Sequence, residues 1–530
     1  MANALDQSET KAAASQPAWT AALACLLLSL VFILHLLVLP FGRDQAIFAV
    51  VADTMLVGGA PYKDAWDFKP PGIFFVYAFA QLFFGPAETG LRIIEAATLC
   101  LGLWVAYRIS AEAVDRRAVF FIAPVFLFGI TQYGFWHVGQ PEVFGAALIL
   151  LAIYLSSIPR ALWAVAGLYV CAALLKPPLG GGILISYAFA LYAVAKANGG
   201  WRGAVSVTLQ FALGAAAILG ALFLYLAAAG AFDDFYWTLF VFTPNYTGVG
   251  NVSYQLASLA GLFLHGLKKL VANWPVLSVG VLLFTGLGLR GRRAAKWSLH
   301  LILVAGMTLL GVALQAKFFP YHYAATVGLC AVLAGWGYWA LYVRISHWPL
   351  GGLLALCVMV VPMFLSRPSL RYWQNGAALA SVAFALPQEK AAVTDKLYST
   401  GNMDRRSNLD AVAWARKHVP EDETIYIWGF EPVIYLQSGR RPASRFIYNV
   451  AQRAEWSAGM ARAELMRSLE ANDPFAIFVQ SQDIMPAVTG SGLDSRQTLD
   501  REFPELRALL GSGYTHTADA GRFRIYQRKP

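Results

Sequence analysis

Apolar stretches long enough to cross a lipid bilayer recur along most of this sequence, from about Trp19 to Leu365. A membrane-spanning helix needs about 20 consecutive apolar residues, which a helix of a soluble protein rarely has. Hydrophobic residues make up 58% of the 530 residues and charged residues only 14%. The sequence therefore predicts a polytopic α-helical membrane protein.

The apolar stretches predict about eleven transmembrane helices. The first is longer than the core of a signal peptide and is not followed by a small-residue cleavage site, so we expect it to be retained. The predicted spans begin at about Trp19 and continue with Leu91–Tyr107, Val119–Phe135, Glu142–Ser157, Ala161–Leu175, Gly182–Ala195, Ala204–Ala228, Trp274–Leu289, Leu299–Gln315, Tyr321–Val343 and Leu350–Leu365.

Composition changes after the last span and divides the chain into parts. We predict a cytoplasmic N-terminal tail (1–18), a transmembrane domain (19–365) with a first outer loop (41–90), a linker (366–387) and a C-terminal domain (388–530). The last part alternates helix-like segments such as "LDAVAWARKHV" with strand-like segments such as "TIYIWGF" and "FAIFVQ". This alternation predicts a soluble α/β domain.

Basic residues indicate the orientation in the membrane. The net charge is +10, but the positive side chains are spread between apolar segments instead of forming one stripe, so we expect no nucleic-acid partner. Alternate short loops hold Arg108, Arg160, Lys196 and the cluster "RGRRAAK" from Arg290, and short basic loops face the cytoplasm. The N-terminus is then cytoplasmic and the C-terminal domain periplasmic, as in a protein of the bacterial inner membrane.

The first outer loop keeps acidic and basic side chains close to the membrane, where charges are costly unless they are paired or used. Asp44 precedes the helical pattern "QAIFAVVADTML" and is either a functional acid or the N-cap of that helix. Pro70 and Pro71 stiffen the chain after Lys69 and favour an extended Lys69. A rigidly placed cation suits a phosphate group, and a lysine at the membrane edge also suits an anchoring role.

The loop sequence "GRDQAIFAVVADTMLVGGAPYKDAWDFKPPG" resembles the first outer loop of GT-C glycosyltransferases, in the group of protein O-mannosyltransferases and lipid A aminoarabinose transferases. These enzymes share an acid that opens the loop and a later Lys-Pro-Pro. The stretches "GQPEVFGAALILLAIYL", "ALLKPPLGG", "AKFFPYHYA" and "IYIWGFEPVIYLQSGRRPASRFIYN" resemble bacterial members of the same group. In outline the resemblance covers nearly the whole chain.

The resemblance implies a GT-C-like enzyme that moves a sugar from a polyprenyl phosphate to a glycan, lipid or protein acceptor on the outer face of the membrane, with inversion. By this resemblance, Asp44 is the base and Lys69 the partner of the donor phosphate. A phosphate leaves readily once its charge is neutralised, so one base and one cation suffice. A second carboxylic acid to protonate the leaving group, as in glycosidases, is not required.

Two positions depart from the family pattern. Phe68 stands where many relatives have an acid directly before the lysine, and Gln45 stands where many have a second acid after the first. Asp67 lies one step earlier and is expected to line the cavity. A divalent metal stays an open alternative, because its ligand set cannot be matched residue by residue, and no other cofactor is assigned.

Further candidates lie at the predicted outer ends of spans and in the tail. Glu142 and His137 are expected to line the cavity, with an interfacial position as the alternative. Several cations together could hold a lipid phosphate, and each could equally be a membrane-edge anchor. The donor-phosphate candidates are Lys176, Lys317, His322 and Tyr323, and the acceptor candidates are Arg440, Arg441 and Arg445, whose alternative is a solvated basic face.

Two other classes of function fit parts of the sequence. A transporter or flippase of a lipid-linked glycan would also need many spans, but transporters place polar residues and broken helices at mid-membrane. A receptor or assembly scaffold would explain the tail but not the charges of the first loop. The expected partners are the bilayer, a polyprenyl-phosphate-linked sugar and the acceptor.

Overall fold

The computed structural model describes residues 16–249, 258–287 and 291–530. Most of the predicted N-terminal tail, and Arg290 of the basic cluster, lie outside the described residues. The chain divides into two compact units. The first comprises Met1–Leu39, Arg92–Ala221 and Ala257–Gly376, and the second comprises Pro40–Leu91, Leu222–Leu256 and Ala377–Pro530.

The described chain is mainly helical up to Ser381. The helices are α1 (Gln16–Leu37), α2 (Arg43–Leu56), α3 (Gly72–Phe84), α4 (Glu88–Ala113), α5 (Val119–Thr131), α6 (Pro141–Leu155), α7 (Leu162–Leu175), α8 (Gly182–Lys196), α9 (Gly200–Ala228), α10 (Phe232–Tyr236), α11 (Thr243–Val249), α12 (Leu259–Asn273), α13 (Pro275–Leu287), α14 (Arg292–Gln315), α15 (Ala324–Ile345), α16 (Gly351–Val360) and α17 (Arg367–Ser381). A π-helical segment, Trp237–Phe242, joins α10 to α11.

Six helical segments of the described residues are long and apolar enough to cross a membrane, or up to eight if each of two bent helix pairs is one span. The polytopic helical architecture is thus confirmed, whereas a count of eleven spans is not. Three predicted spans correspond to α5, α6 and α7, which have 13 to 15 residues. At 1.5 Å per residue such helices are about 20–23 Å long, shorter than the roughly 30 Å hydrocarbon layer.

The two bent pairs have breaks of a few residues. Leu259–Asn273 and Pro275–Leu287 meet at 100°, and Gly351–Phe364 and Arg367–Ser381 meet at 94°. In the first pair the break falls at Trp274, directly before a proline. Proline disfavours helical geometry in the residue that precedes it, which accounts for a break at this position.

The C-terminal part contains a five-stranded sheet with the order β2-β1-β3-β5-β4. Strands β1 and β3 are parallel, and β5 is antiparallel to β3. The strands are β1 (Thr424–Trp428), β2 (Arg441–Pro442), β3 (Ala476–Gln480), β4 (Tyr514–Ala520) and β5 (Phe523–Arg528). The helices are α18 (Pro387–Leu397), α19 (Arg405–His418), α20 (Val433–Ser438), α21 (Val450–Arg453), α22 (Ala458–Asn472), α23 (Pro486–Thr489), α24 (Ser495–Glu502) and α25 (Pro504–Gly513).

The central strands are buried on both faces. Every residue of β3, and all of β1 after Thr424, is buried. Parallel strands covered by helices on both faces have this continuous apolar pattern. The α/β character predicted for the tail is confirmed.

The second compact unit contains the first predicted outer loop together with the sheet. Trp66 of this loop is fully buried, and its backbone N–H donates to the carbonyl of Arg445, 2.7 Å away. The Trp66 ring packs 4.9 Å from the Phe242 ring and 5.7 Å from the Phe446 ring, measured between centroids. Residues from three distant parts of the sequence thus share one aromatic core.

Candidate active site

Helix α2 places Asp44 in its first turn. Gly42 is the N-cap, and its N–H donates to the Gln45 side chain at 2.7 Å. The N-cap alternative for Asp44 is therefore not what the structure shows. Asp44 is half-buried, and a carboxylate in the first turn is stabilised by the helix dipole.

Lys69 lies in the segment between α2 and α3, and its side chain approaches α2. Its ammonium lies 5.9 Å from the centre of the Phe48 ring and 4.2 Å from that of Phe68. Phe48 follows Asp44 by four residues, a spacing that puts both side chains on one face of a helix. The ammonium of Lys69 is thus brought to the face of α2 that carries Asp44.

The backbone around Lys69 is fixed by hydrogen bonds. The Tyr62 hydroxyl donates to the carbonyl of Lys69 at 2.9 Å. The Thr243 hydroxyl shares its proton between the carbonyls of Phe68 at 3.1 Å and Thr238 at 2.8 Å. Pro71 is the N-cap of α3, which starts at Gly72. Lys69 is half-buried between these contacts, so its position is set on both sides along the chain.

Asp67 is the buried acid of this site. It is fully buried, and the Tyr448 hydroxyl donates to its Oδ1 at 2.6 Å. Within the described residues, Oδ2 has no hydrogen-bond partner. Burial raises the pKa of Asp67, and this rise is partly offset by the nearby Lys69 ammonium and the Tyr448 hydrogen bond.

Tyr246 of α11 joins the same group of residues. Its ring lies 4.3 Å from that of Phe68. Desolvation raises the pKa of Tyr246 to about 12, with Lys69 lowering the pKa and Asp44 and Asp67 raising it. Asp44, Asp67 and Lys69 thus all act electrostatically on the Tyr246 hydroxyl. We call Asp44, Asp67, Lys69, Tyr246 and Tyr448 the first-loop cluster.

A buried ion pair supports α2 beside this cluster. The Arg43 Nε donates to Glu431 at 2.8 Å, and both side chains are almost fully buried. The other Glu431 oxygen accepts from Asn408 at 2.8 Å, and the Gln480 amide donates to Glu431 at 3.3 Å. Burial raises the pKa of Glu431, and the Arg43 guanidinium opposes the rise.

The three predicted acceptor arginines have different surroundings. Arg440 is buried, and its guanidinium donates to the backbone carbonyls of Val419 and Ser438. Arg445 pairs with Asp234 and Glu464. Arg441 is exposed. Arg440 and Arg445 thus have contacts that hold the fold, and Arg441 faces solvent.

The predicted residues of the other compact unit form a second polar group. Lys176 pairs with the buried Glu142, and its ammonium lies 5.4 Å from the Tyr321 ring centre. The same ring lies 5.7 Å from His137 and 4.6 Å from His322. Burial lowers the pKa of His137 to about 4, so this imidazole is neutral at pH 7.

Tyr323 and Lys317 lie near this second group in the sequence. The Tyr323 ring packs 5.4 Å from that of Trp274. Lys317 is half-buried between Ala316 and Phe318, whose φ angles of 50° and 49° are left-handed. Non-glycine residues adopt this conformation at a cost, and such strain concentrates at functional sites.

The structure thus brings Asp44, Asp67 and Lys69 together. It separately brings Glu142, Lys176, His137 and His322 around Tyr321.

Sequence reasoning missed Tyr246, Tyr448 and the Arg43–Glu431 pair. Glu431 carried a signal, because it follows a strand-like segment closely and polar residues after parallel strands are often functional. Among the residues described, no group of three or more His, Cys, Asp or Glu side chains is placed to hold a metal ion.

Comparisons with known proteins identify the fold. No protein-family model matches the chain, and no curated protein matches it significantly. Two solved structures of ArnT from Cupriavidus metallidurans match nearly end to end. The structure bound to undecaprenyl phosphate is 14% identical, covers 97% of this chain and 98% of its own, and has a TM-score of 0.51. The apo structure is 13% identical, covers 95% and 97%, and has a TM-score of 0.54.

The archaeal oligosaccharyltransferase AglB from Archaeoglobus fulgidus also matches, with 13% identity, 97% of this chain, 74% of its own and a TM-score of 0.43. The resemblance to GT-C proteins is therefore confirmed at the level of fold by the two ArnT structures. The chain is a multi-pass membrane protein with a GT-C fold.

Proposed function

We propose that this protein is a glycosyltransferase that moves a sugar from a polyprenyl phosphate to a cell-envelope acceptor, with inversion at the anomeric carbon. The observation that carries the proposal is the first-loop cluster, in which a half-buried carboxylate and an ammonium lie on one face of α2. The GT-C fold supports it, and one of the similar ArnT structures is bound to undecaprenyl phosphate.

In the proposed reaction the Asp44 carboxylate takes the proton of the acceptor hydroxyl. The acceptor oxygen attacks the anomeric carbon as the bond from this carbon to the phosphate oxygen breaks. The electron pair of that bond stays on the polyprenyl phosphate, and the Lys69 ammonium neutralises the added charge. Asp44 is the base in this scheme because it lies at the half-exposed edge of the cluster, whereas Asp67 is enclosed.

Lys176, Lys317, His322 and Tyr323 are proposed to contact the donor phosphate during binding. Lys176 already pairs with Glu142, so an incoming phosphate would share this cation with a resident carboxylate. That arrangement favours a ligand that can leave again, as a released polyprenyl phosphate must. Arg441, the exposed arginine of the predicted acceptor group, is the proposed contact for an anionic acceptor.

The finer topology is also a proposal. We infer that α5, α6 and α7 cross the membrane as short spans, which with the longer helices and the bent pairs gives eleven. Most side chains of α5 and α6 are buried by protein, and a helix covered by protein tolerates a length mismatch with lipid. With the N-terminus in the cytoplasm of a bacterial cell, the sheet-bearing C-terminal domain is periplasmic.

The first test is transfer by purified protein carrying Asp44→Asn. This change removes the proton acceptor and keeps the shape, so we expect kcat to fall about 1,000-fold with unchanged folding. Asp53→Asn, in the same helix, serves as the matched control and should retain activity. Near-normal turnover by Asp44→Asn would refute the assignment of the base.

The second test is Lys69→Ala. Losing a charge-assisted contact to phosphate should lower kcat/KM for the donor about 10- to 100-fold and change the acceptor KM little. Equal effects on both substrates would indicate a structural role instead.

One observation favours a second candidate, a flippase of a lipid-linked glycan. The two helix pairs bent by 100° and 94° resemble the broken helices that transporters use. A reconstituted assay distinguishes the two functions, because a flippase moves the labelled lipid between leaflets without breaking the bond from sugar to phosphate.

A further inference from the structure

Tyr448 reaches the first-loop cluster from 381 residues further along the chain. Its hydroxyl donates to Oδ1 of Asp67, and both side chains are fully buried. Because Oδ2 has no hydrogen-bond partner among the described residues, the Tyr448 hydroxyl is a large part of what holds this carboxyl group.

Tyr448 is itself rigidly placed. Its ring packs 4.8 Å from the Phe430 ring and 5.6 Å from the Trp66 ring. The backbone N–H of the next residue, Asn449, donates to the carbonyl of Gly429 at 3.1 Å, directly after strand β1. The hydroxyl is therefore held against Asp67 by residues that pack at the end of strand β1.

Asp67 is two residues before Lys69, and the two side chains interact electrostatically. The carbonyls of Phe68 and Lys69 are fixed by the hydroxyls of Thr243 and Tyr62. With the backbone held in this way, the place of the ammonium depends on the contacts that its long side chain makes, among them those with the Phe48 and Phe68 rings. A carboxylate at a fixed place restricts the positions that the ammonium adopts.

We propose that Tyr448 is a positioning residue for the transfer reaction. By holding Asp67, it places the Lys69 ammonium where the departing phosphate gathers charge. The inference rests on the proposed function. It gives the C-terminal part of the chain a role in the site, because a change near the end of strand β1 would alter use of the donor through the hydrogen bond from Tyr448 to Asp67.

The test is a double-mutant cycle with Tyr448→Phe and Asp67→Asn, with transfer measured at varied donor and varied acceptor. Removing a hydrogen bond to a charged group should lower kcat/KM for the donor about tenfold and leave the acceptor KM within about twofold. In the Asp67→Asn background, Tyr448→Phe should have less than about a twofold further effect, because residues acting through each other are not additive. Equal loss in both backgrounds would overturn the proposal.

Tyr435→Phe is the matched control for folding. Tyr435 is a buried tyrosine of the same unit, and its hydroxyl accepts from the backbone N–H of Ile427 at 2.9 Å within the sheet. We expect this variant to lower the melting temperature as much as Tyr448→Phe without a donor-specific effect. A smaller folded fraction lowers turnover with both substrates alike, so it cannot imitate a change in the donor KM alone.

A second readout does not depend on transfer. Full-length protein in detergent is treated with an amine-acylating reagent in the absence of substrates, and labelling of Lys69 is followed by mass spectrometry. Tyr448→Phe and Asp67→Asn should each change the labelling rate at least about threefold, and Tyr435→Phe should not. If Lys69 labelling changes in these two variants but the wild-type protein transfers no sugar, the proposed function fails and the positioning role stands. Transfer that requires Lys69, with labelling unchanged in Tyr448→Phe, overturns the positioning role alone.

Discussion

A buried carboxyl group such as Asp67 is costly to the fold whenever it ionises. Burial raises the pKa of Asp67 even though Lys69 and Tyr448 oppose the rise. A neutral residue of the same shape would destabilise the fold less, so stability does not explain why an acid stands at this position. Acids whose pKa is shifted by burial and by a nearby charge are typical of functional sites.

This cost predicts how Asp67→Asn changes thermal stability. When the folded-state pKa of an acid is raised, its protonated form stabilises the fold. This contribution is complete at pH values below the unfolded-state pKa, which is about 3.9 for an aspartic acid. The contribution is lost as the pH rises through the folded pKa. Asparagine does not titrate and still accepts from Tyr448, so the variant should melt at a higher temperature than wild type at pH 8.

The advantage of Asp67→Asn should shrink as the pH is lowered towards 4, as followed by differential scanning fluorimetry. Asp410→Asn, which changes a half-exposed acid of the same unit that pairs with Arg406, should show no such trend. If Asp67→Asn is less stable than wild type at pH 8, the ionised carboxylate stabilises the fold and our account of the cost is wrong.

At the scale of elements, α2 is held at its start by the buried pair of Arg43 and Glu431. The pair joins the first loop to the end of strand β1, and Asn408 and Gln480 complete the bonding of the carboxylate. The Arg43 guanidinium also lies 5.2 Å from the Phe430 ring centre. Asp44 is adjacent to Arg43, so this anchor sets where the proposed base stands.

Glu431→Gln should destabilise the protein by about 3–5 kcal/mol, because it leaves the Arg43 charge buried without a counter-charge. Adding Arg43→Gln should recover more than half of the loss, since the double variant buries no charge. Chemical unfolding in detergent, read by tryptophan fluorescence, measures both. If Glu431→Gln unfolds like wild type, the pair does not anchor α2.

The start of α2 and the tail strands could be predicted from the sequence because their signals are local. The apolar period after Asp44 and the run "TIYIW" each depend on neighbouring residues. The hydrogen bond from Tyr448 to Asp67 could not be predicted, because it joins residues 381 positions apart in stretches that look like ordinary aromatic and charged loops. The predicted span at α5 ends at Phe135, four residues after the observed end at Thr131, whereas the spans predicted at α6 and α7 agree with the observed helices within two residues.

On the scale of the whole molecule, the chain combines lipid-length helices with a compact unit assembled from distant segments. Arg445 shows how that unit is tied together, since it pairs with Asp234 and Glu464 and donates to the carbonyl of Tyr62 at 3.0 Å. Three segments separated by long apolar stretches therefore meet at one side chain. We therefore expect the parts of the chain around Tyr62, Asp234 and Arg445 to lie on one side of the membrane, which constrains the number of spans between them.

The proposed topology makes a prediction for cysteine labelling. The five native cysteines are first replaced. Single cysteines are then placed at the exposed positions Arg441 and Arg202. A third is placed at Leu209, an outward-facing residue of α9 that is 64% exposed. In cells with a permeabilised outer membrane, a membrane-impermeant maleimide should label position 441 directly and position 202 only after the inner membrane is opened. Position 209 should stay unlabelled in both conditions, because a thiol in hydrocarbon remains protonated and unreactive. Labelling of position 202 before position 441 would show the opposite orientation. The first-loop cluster and the proposed chemistry would then lie on the cytoplasmic side.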